Sequence, residues 1–145
     1  MNPLSVLLQV GSAFLGVVTL AVLFHVPRKY LLSAGLTGAG GWFIELLVMN
    51  QTDNAMMSAF LSASFVAVIS QLSARIFKAP VTVYLVPGIL PLVPGVGMYR
   101  IVYYLLQEKG EYASYYFSYT LQVAGMIALA VFVVDSFFRV LYQRR

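Results

Sequence analysis

Glu45 and Arg100 are the charged side chains whose positions in this sequence most favour solute binding. Only 10% of the residues are charged, and Glu45 and Asp135 are the only carboxylates inside long apolar segments. Ionisable groups at such positions are candidates for a solute or proton pathway. Each carboxylate has an ordinary alternative. Glu45 lies about one turn from the end of its segment and can reach the interface, whereas Asp135 precedes Arg139 by four residues, the spacing of a helical ion pair.

Arg100 lies deeper, about a turn and a half from the nearer end of its apolar segment. Its guanidinium can extend to the interface among neighbouring tyrosines, or it can offer a fixed positive charge to an anionic solute. The sequence leaves both possibilities open.

The stretch PGILPLVPG, Pro87 to Gly95, places three prolines and two glycines inside an apolar segment. Each proline lacks an amide hydrogen and clashes with the carbonyl one turn earlier, so the helix is expected to break. Backbone groups freed in lipid are costly, so the break must be buried in protein or line water. We expect one half-helix to end near Val86 and another to begin near Gly95, where free amides suit a carboxylate and free carbonyls suit a cation.

The glycines of this region, Gly88, Gly95 and Gly97, are expected to permit unusual backbone angles, and Gly95 a close approach of another helix or a ligand. The alternative to a polar site is a structural kink whose backbone groups are satisfied by neighbouring serines or threonines.

Five apolar segments, separated by short polar turns, must position these residues: 4–26, 31–49, 55–77, 81–106 and 115–138. Each is long enough to cross a bilayer, and the mean hydropathy of the whole chain is +0.86. We therefore predict an all-α membrane helix bundle of five spans, the fourth discontinuous, forming a single domain over residues 1–145. The turn after the fourth segment contains Gly110, which we expect to terminate that helix.

Basic residues favour one orientation of this bundle. If all five segments cross, seven of the nine Lys and Arg residues share one side: Arg28, Lys29, Arg75, Lys78, Arg139, Arg144 and Arg145. The positive-inside rule then predicts a cytoplasmic C-terminus and an outer N-terminus, in the plasma (inner) membrane. Seven of the ten tyrosines lie between Tyr99 and Tyr119, near the opposite side, and predict an aromatic belt. Basic residues do not alternate with them, so no nucleic-acid partner is predicted.

Small and polar residues follow one face of three segments. They are Ser5, Gln9, Ser12, Gly16 and Thr19 in the first, Ser33, Thr37, Gly41 and Glu45 in the second, and Ser118, Gln122 and Gly125 in the fifth. Such stripes let helix backbones approach each other, and we interpret them as packing surfaces. The alternative is that some of them line a wet cavity.

With these features, the sequence resembles the threonine/serine exporter family, specifically the small second subunit of its split form. The stretch PGILPLVPGVGMYR, the glycine-rich second segment and the basic end carry the resemblance. It implies export of a small carboxylate-bearing solute, driven by the proton gradient, and relatives of this subunit are associated with dicarboxylates, notably succinate. It also implies that a larger five-span membrane partner supplies the first half. The substrate-region backbone implied by the family motif comprises Pro87, Gly88, Pro91, Pro94 and Gly95.

Two other functions compete with a half-transporter, namely a small homo-oligomeric channel and a membrane scaffold subunit that transports nothing. An enzyme is not predicted, because GxSxG and HExxH are absent and the chain has one histidine. No cofactor or metal site is predicted, and the absence of cysteine excludes thiolate ligands.

Overall fold

The computed structural model describes residues 2–143, and within this range the chain is helical apart from short connections. Arg144 and Arg145, counted above on the basic side, lie outside the described residues. The helices are α1 (Pro3–Leu23), α2 (Arg28–Thr52), α3 (Ala55–Ile76), α4 (Thr82–Ile89), α5 (Gly95–Leu106) and α6 (Gly110–Gln143), with a 3₁₀ turn at Leu90–Leu92 between α4 and α5. The all-α prediction is confirmed.

Four of these helices, α1, α2, α3 and α6, are each long and apolar enough to cross a membrane. The fourth span along the chain is divided into α4 with the 3₁₀ turn, Thr82–Leu92, and α5, and the axes of these two parts differ by 49°. A bend of this size leaves both halves directed toward the same side, whereas a re-entrant hairpin would reverse the chain. The prediction of a discontinuous fourth span is therefore confirmed.

Helix ends differ most from the predicted segments around α6, which extends beyond residues 115–138 in both directions. Hydropathy marks the bilayer core, but a helix continues through the interface wherever its residues tolerate helical geometry. The expectation that Gly110 terminates α5 is wrong, because α5 ends at Leu106 and Gly110 begins α6. The chain turns instead at Glu108, whose φ is 58°.

Left-handed backbone at non-glycine residues ends every helix before a tight connection. The positive φ angles belong to His25, Asp53, Lys78 and Glu108. After α1, α3 and α5 the following amide returns to a carbonyl of the last turn, as in the bond from Val26 N to Ala21 O. Sequence rules that look for glycine at this position missed these ends.

Helix α2 lies at the centre of the N-terminal half, between α1 and α3, and α3 also packs on α6. Its glycines allow this: a Cβ on Gly38 would overlap the side chain of Val17 on α1, and one on Gly41 would overlap Val66 on α3. The prediction that the glycine-rich second segment serves helix packing is confirmed. Close packing of α2 is what fixes the position of Glu45 relative to α3.

The stripes of α1 and α6 do not pack inside this chain. Gln9, Ser12, Gly16 and Thr19 are exposed on α1, as are Ser118, Gln122 and Gly125 on α6. The hydroxyls of Ser12 and Thr19 donate to carbonyls of their own helix, four residues back. Both stripes therefore remain available for contacts outside the chain.

Close packing of α5 on α6 gives a first testable prediction. A Cβ on Gly97 would collide with the hydroxyl of Thr120, which is buried and has no hydrogen-bond partner among the described residues. Overpacking of this kind costs about 1–3 kcal/mol, so Gly97→Ala should lower the melting temperature in detergent by several degrees. The double variant Gly97→Ala/Thr120→Ala should recover most of the loss.

Gly125→Ala is the matched control, because nothing lies within 4 Å of the Cβ it would add. Equal melting temperatures for Gly97→Ala and Gly125→Ala would contradict the α5–α6 packing.

Candidate functional site

The break in the fourth span lies later than its first proline. Helix α4 continues through Pro87 to Ile89, so the expectation that it ends near Val86 is wrong. Pro87 lacks the amide for one helix hydrogen bond but still lies within the helix. The direction changes at Val93 and Pro94, with ψ angles of 130° and 62°. The next half-helix begins at Gly95, as predicted.

Gly88 and Gly97 serve close approach rather than unusual angles, whereas nothing lies within 4 Å of a Cβ on Gly95, so the expected approach of another helix there is wrong. No described glycine has a positive φ, which overturns the expectation for Gly88, Gly95 and Gly97. A Cβ on Gly88 would lie 3.2 Å from Val66 and 3.7 Å from the backbone nitrogen of Gly38. Gly88 therefore allows α4 to lie directly against α2, which anchors the first half of the broken span.

A cavity of about 340 Å³ lies between α2, the break, α5 and α6. Five of the seven predicted site residues line it, from two separate stretches of sequence: Glu45, Pro91, Pro94, Gly95 and Arg100. Its remaining walls include Trp42 on α2 and two tyrosines on α6, Tyr116 and Tyr119. The break thus forms one wall of a cavity that contains both a carboxylate and a guanidinium.

Pro87 and Gly88 do not line this cavity. Both are buried, and Pro87 borders a separate recess near His25 at the other end of α4. Their role in the structure is to hold α4 against its neighbours. Asp135, the other carboxylate considered, pairs with Arg139 at 2.7 Å, as the four-residue spacing predicted.

Glu45 turns inward to α3 instead of reaching for the interface. Its two carboxylate oxygens accept hydrogen bonds from Ser58 Oγ at 2.8 Å and Ser62 Oγ at 2.7 Å. Both serines are fully buried. Because each oxygen has its own donor, the carboxylate is held in one orientation at the edge of the cavity.

Ser58 and Ser62 were missed by the sequence reasoning. Their spacing of four residues places both hydroxyls on one face of α3, and this was visible in the sequence. What the sequence does not contain is the rotation of α3 that directs this face toward α2.

Arg100 lies in a position that keeps open both possibilities left by the sequence. Its side chain is exposed, and Nη1 donates to the hydroxyl of Tyr116 at 3.0 Å. The guanidinium carbon also lies 5.0 Å from the centre of the Tyr116 ring. Arg100 therefore lies among tyrosines and still borders the cavity, and an arginine has further donors for a solute.

The tyrosines around Arg100 form a stacked array between α5 and α6. The ring of Tyr104 stacks on Tyr112 at 5.3 Å and on Tyr116 at 5.5 Å between centres. Stacked rings contribute about 0.5–1.5 kcal/mol per pair beyond burial. This array ties α5 to α6 and fixes the partner of Arg100.

The first turn of α5 gives the cavity a second positive feature. Pro94 through Gly97 line the cavity, and no side chain caps the helix start. The amide of Gly95 donates to Val93 O at 2.7 Å, while those of Val96 and Gly97 are in the first turn, where a helix provides no partner. Free amides and the helix dipole favour an anion here, and Arg100 lies on the same helix.

Comparison with known protein families identifies one match. A family model described as "Threonine/Serine exporter, ThrE" matches residues 9–137, which include every helix in whole or in large part. Neither the curated proteins nor the solved structures contain a match to the chain.

Proposed function

This chain belongs to the threonine/serine exporter family, and we propose that it is one subunit of a two-component secondary exporter of small carboxylate-bearing solutes. The substrates are threonine and serine or dicarboxylates such as succinate. The observation that carries the proposal is the cavity at the broken span, in which Arg100 and the first turn of α5 lie close to Glu45.

Binding of the solute carboxylate is assigned to α5. Arg100 supplies charged donors, and the amides of the first turn supply neutral ones. Both are fixed before the solute arrives, because the tyrosine array holds Arg100 and the helix holds its own amides. Preorganised donors cost little to align, so a small solute can bind with few contacts.

Proton coupling is assigned to Glu45. Among the described residues it is the only carboxylate that lines the cavity. When ionised, a carboxylate there repels the solute carboxylate bound at Arg100, and when protonated it does not, so binding of a proton and of the solute become linked. This linkage is what a secondary exporter needs to use the proton gradient.

The exposed stripe on α1 supports a membrane partner. Gln9 and Ser12 line a groove of about 410 Å³ that adjoins the candidate cavity across Trp42 and Pro91. Polar side chains at membrane depth favour contact with protein over lipid. We assign this face to the larger five-span partner, which then closes the open side of the cavity. Movement of one half against the other would expose the cavity to each side in turn.

Export in the presence and absence of the partner tests the two-component arrangement. Cells that lack both chains should export labelled threonine or succinate only when both are restored. We expect each chain alone to give the background rate. Undiminished export without this chain would overturn the proposal, and export by this chain alone would favour a homo-oligomeric channel instead.

The predicted orientation is part of the same proposal. One end of the bundle holds the start of α2, the end of α3 and the C-terminal part of α6. The Tyr30 and Phe77 rings meet there at 6.4 Å between centres, and Arg75 lies 4.4 Å from the Phe138 ring centre. The basic residues at this end include Arg28, Lys29 and Lys78. This end is assigned to the cytoplasm and the tyrosine array to the outer side of the plasma membrane.

A further inference from the structure

A second and larger cavity lies on the other side of the break. Helix α5 packs along α6, whereas α4 packs against α2 and α3. The 49° bend thus moves α4 away from α6 and leaves a cleft of about 600 Å³ with α3 as its floor. This cleft, which we call the inner cavity, is lined on its three sides by residues that include Ala67, Gln71, Thr82, Leu85, Ala128 and Asp135.

The inner cavity has a polar end in otherwise apolar walls. Gln71 is 9% exposed, and its Nε2 donates to Asp135 Oδ1 at 3.1 Å. Arg139 Nε donates to the other oxygen, Oδ2, at 2.7 Å. A carboxylate has about four acceptor positions, so these two bonds leave Asp135 able to accept more.

The ion pair that holds Asp135 is readily exchanged. The side chain of Arg139 is 75% exposed, and exposed pairs of this kind contribute little to stability. An ammonium group that entered the cavity could therefore replace or join Arg139 at little cost. A solute carboxylate has no such place at Asp135, since two like charges would meet.

An apolar layer separates the inner cavity from the site at Glu45 and Arg100. Leu92 and Val123 line the cavity that contains Glu45 and Arg100, and they belong to one buried cluster with Val66 and Ile127. Beyond this layer α6 continues directly to Ala128, which lines the inner cavity. The two cavities therefore follow one another along α6, with Asp135 in the inner cavity and Arg100, together with Glu45, in the other.

We propose that the inner cavity is a second solute site, in which Asp135 and Gln71 bind the ammonium group of a small amino acid before it passes the apolar layer. This rests on the proposed function, since it supplies the entry side of the same route. It also distinguishes the solutes: an amino acid has the group that the site takes, and a dicarboxylate lacks it. The apolar walls accommodate the short side chain.

The test uses Ala128→Cys in the complete complex with a cysteine-free partner, because this chain has no cysteine of its own. In sealed vesicles a membrane-impermeant maleimide is added on the side of the membrane where the C-terminal part of α6 lies. We expect Ala128→Cys to react at least about tenfold faster than Val133→Cys, which is exposed on the same helix outside the cavity. Threonine should slow the reaction, and its 2-hydroxy analogue, which lacks the ammonium group, should not.

Asp135→Asn in the Ala128→Cys background should abolish protection by threonine while the reaction itself remains. Three results would overturn the inference: no reaction at Ala128→Cys, equal protection by threonine and its analogue, or protection that survives Asp135→Asn. Export measured in the same preparations keeps the two proposals apart. If the complex exports solute but threonine does not protect Ala128→Cys from the maleimide, only the inner site is ruled out. If there is no export with both chains present, the proposed function is ruled out.

Discussion

Glu45→Gln should lower gradient-driven export by about 100-fold, an effect of about 2.7 kcal/mol, while the protein still folds. Glutamine has the shape of glutamate and retains an acceptor for one of the two serine hydroxyls, Ser58 or Ser62. It cannot take up or release a proton. The measurement is efflux of labelled solute from cells or proteoliposomes under an imposed pH gradient.

The same variant should still exchange solute across a membrane without a gradient, because the donors on α5 are untouched. Ser62→Ala is the matched control: it removes one hydrogen bond to Glu45 but not the carboxylate, so export should fall by less than about tenfold. Full gradient-driven export by Glu45→Gln would show that the coupling proton binds elsewhere.

Arg100→Gln should raise the solute concentration needed for half-maximal export by about 10- to 100-fold. Hydrogen bonds to a charged partner contribute about 1.5–3 kcal/mol, and about 1.4 kcal/mol corresponds to a factor of ten. Arg100→Lys should give an intermediate value, because an ammonium keeps the charge and loses the paired geometry. The measurement is the concentration dependence of export, made on variants with equal surface abundance.

Tyr116→Phe separates the role of Arg100 in binding from its role in packing. This variant removes the hydroxyl that accepts from Arg100 but keeps the ring that stacks on Tyr104. We expect a change of less than about threefold, because the ring beneath the guanidinium remains and the solute keeps its own bonds to Arg100. If Arg100→Gln behaved like Tyr116→Phe, the carboxylate would have to bind elsewhere.

The break in the fourth span was predictable because proline acts locally. Pro94 cannot continue a helix from Val93, and a free helix start at Gly95 follows from the residue types alone. The end of α4 was not predictable to the same degree. Pro87 lies inside α4 although it lacks an amide hydrogen, and Gly88 is held against α2 by packing that the sequence does not show.

The members of the site were easier to predict than their arrangement. Glu45 and Arg100 stand out because charge is rare inside apolar segments. That both face one cavity depends on the rotations of α2 and α5, which are set by glycine contacts such as those of Gly41 and Gly97. Because the sequence does not show helix rotations, Ser58 and Ser62 were missed and the outward orientation of the stripe on α1 was not predicted.

Solute protection at Val96 tests the central claim most directly, namely that the cavity at the broken span holds the solute. Val96 lines this cavity and is exposed, so Val96→Cys in the complete complex should react with an impermeant thiol reagent. Val102→Cys, exposed on the same helix outside the cavity, is the control. We predict that the exported solute slows labelling at Val96 by about tenfold and leaves Val102 unchanged. An unchanged rate at Val96, with a solute that the same complex exports, would contradict the claim.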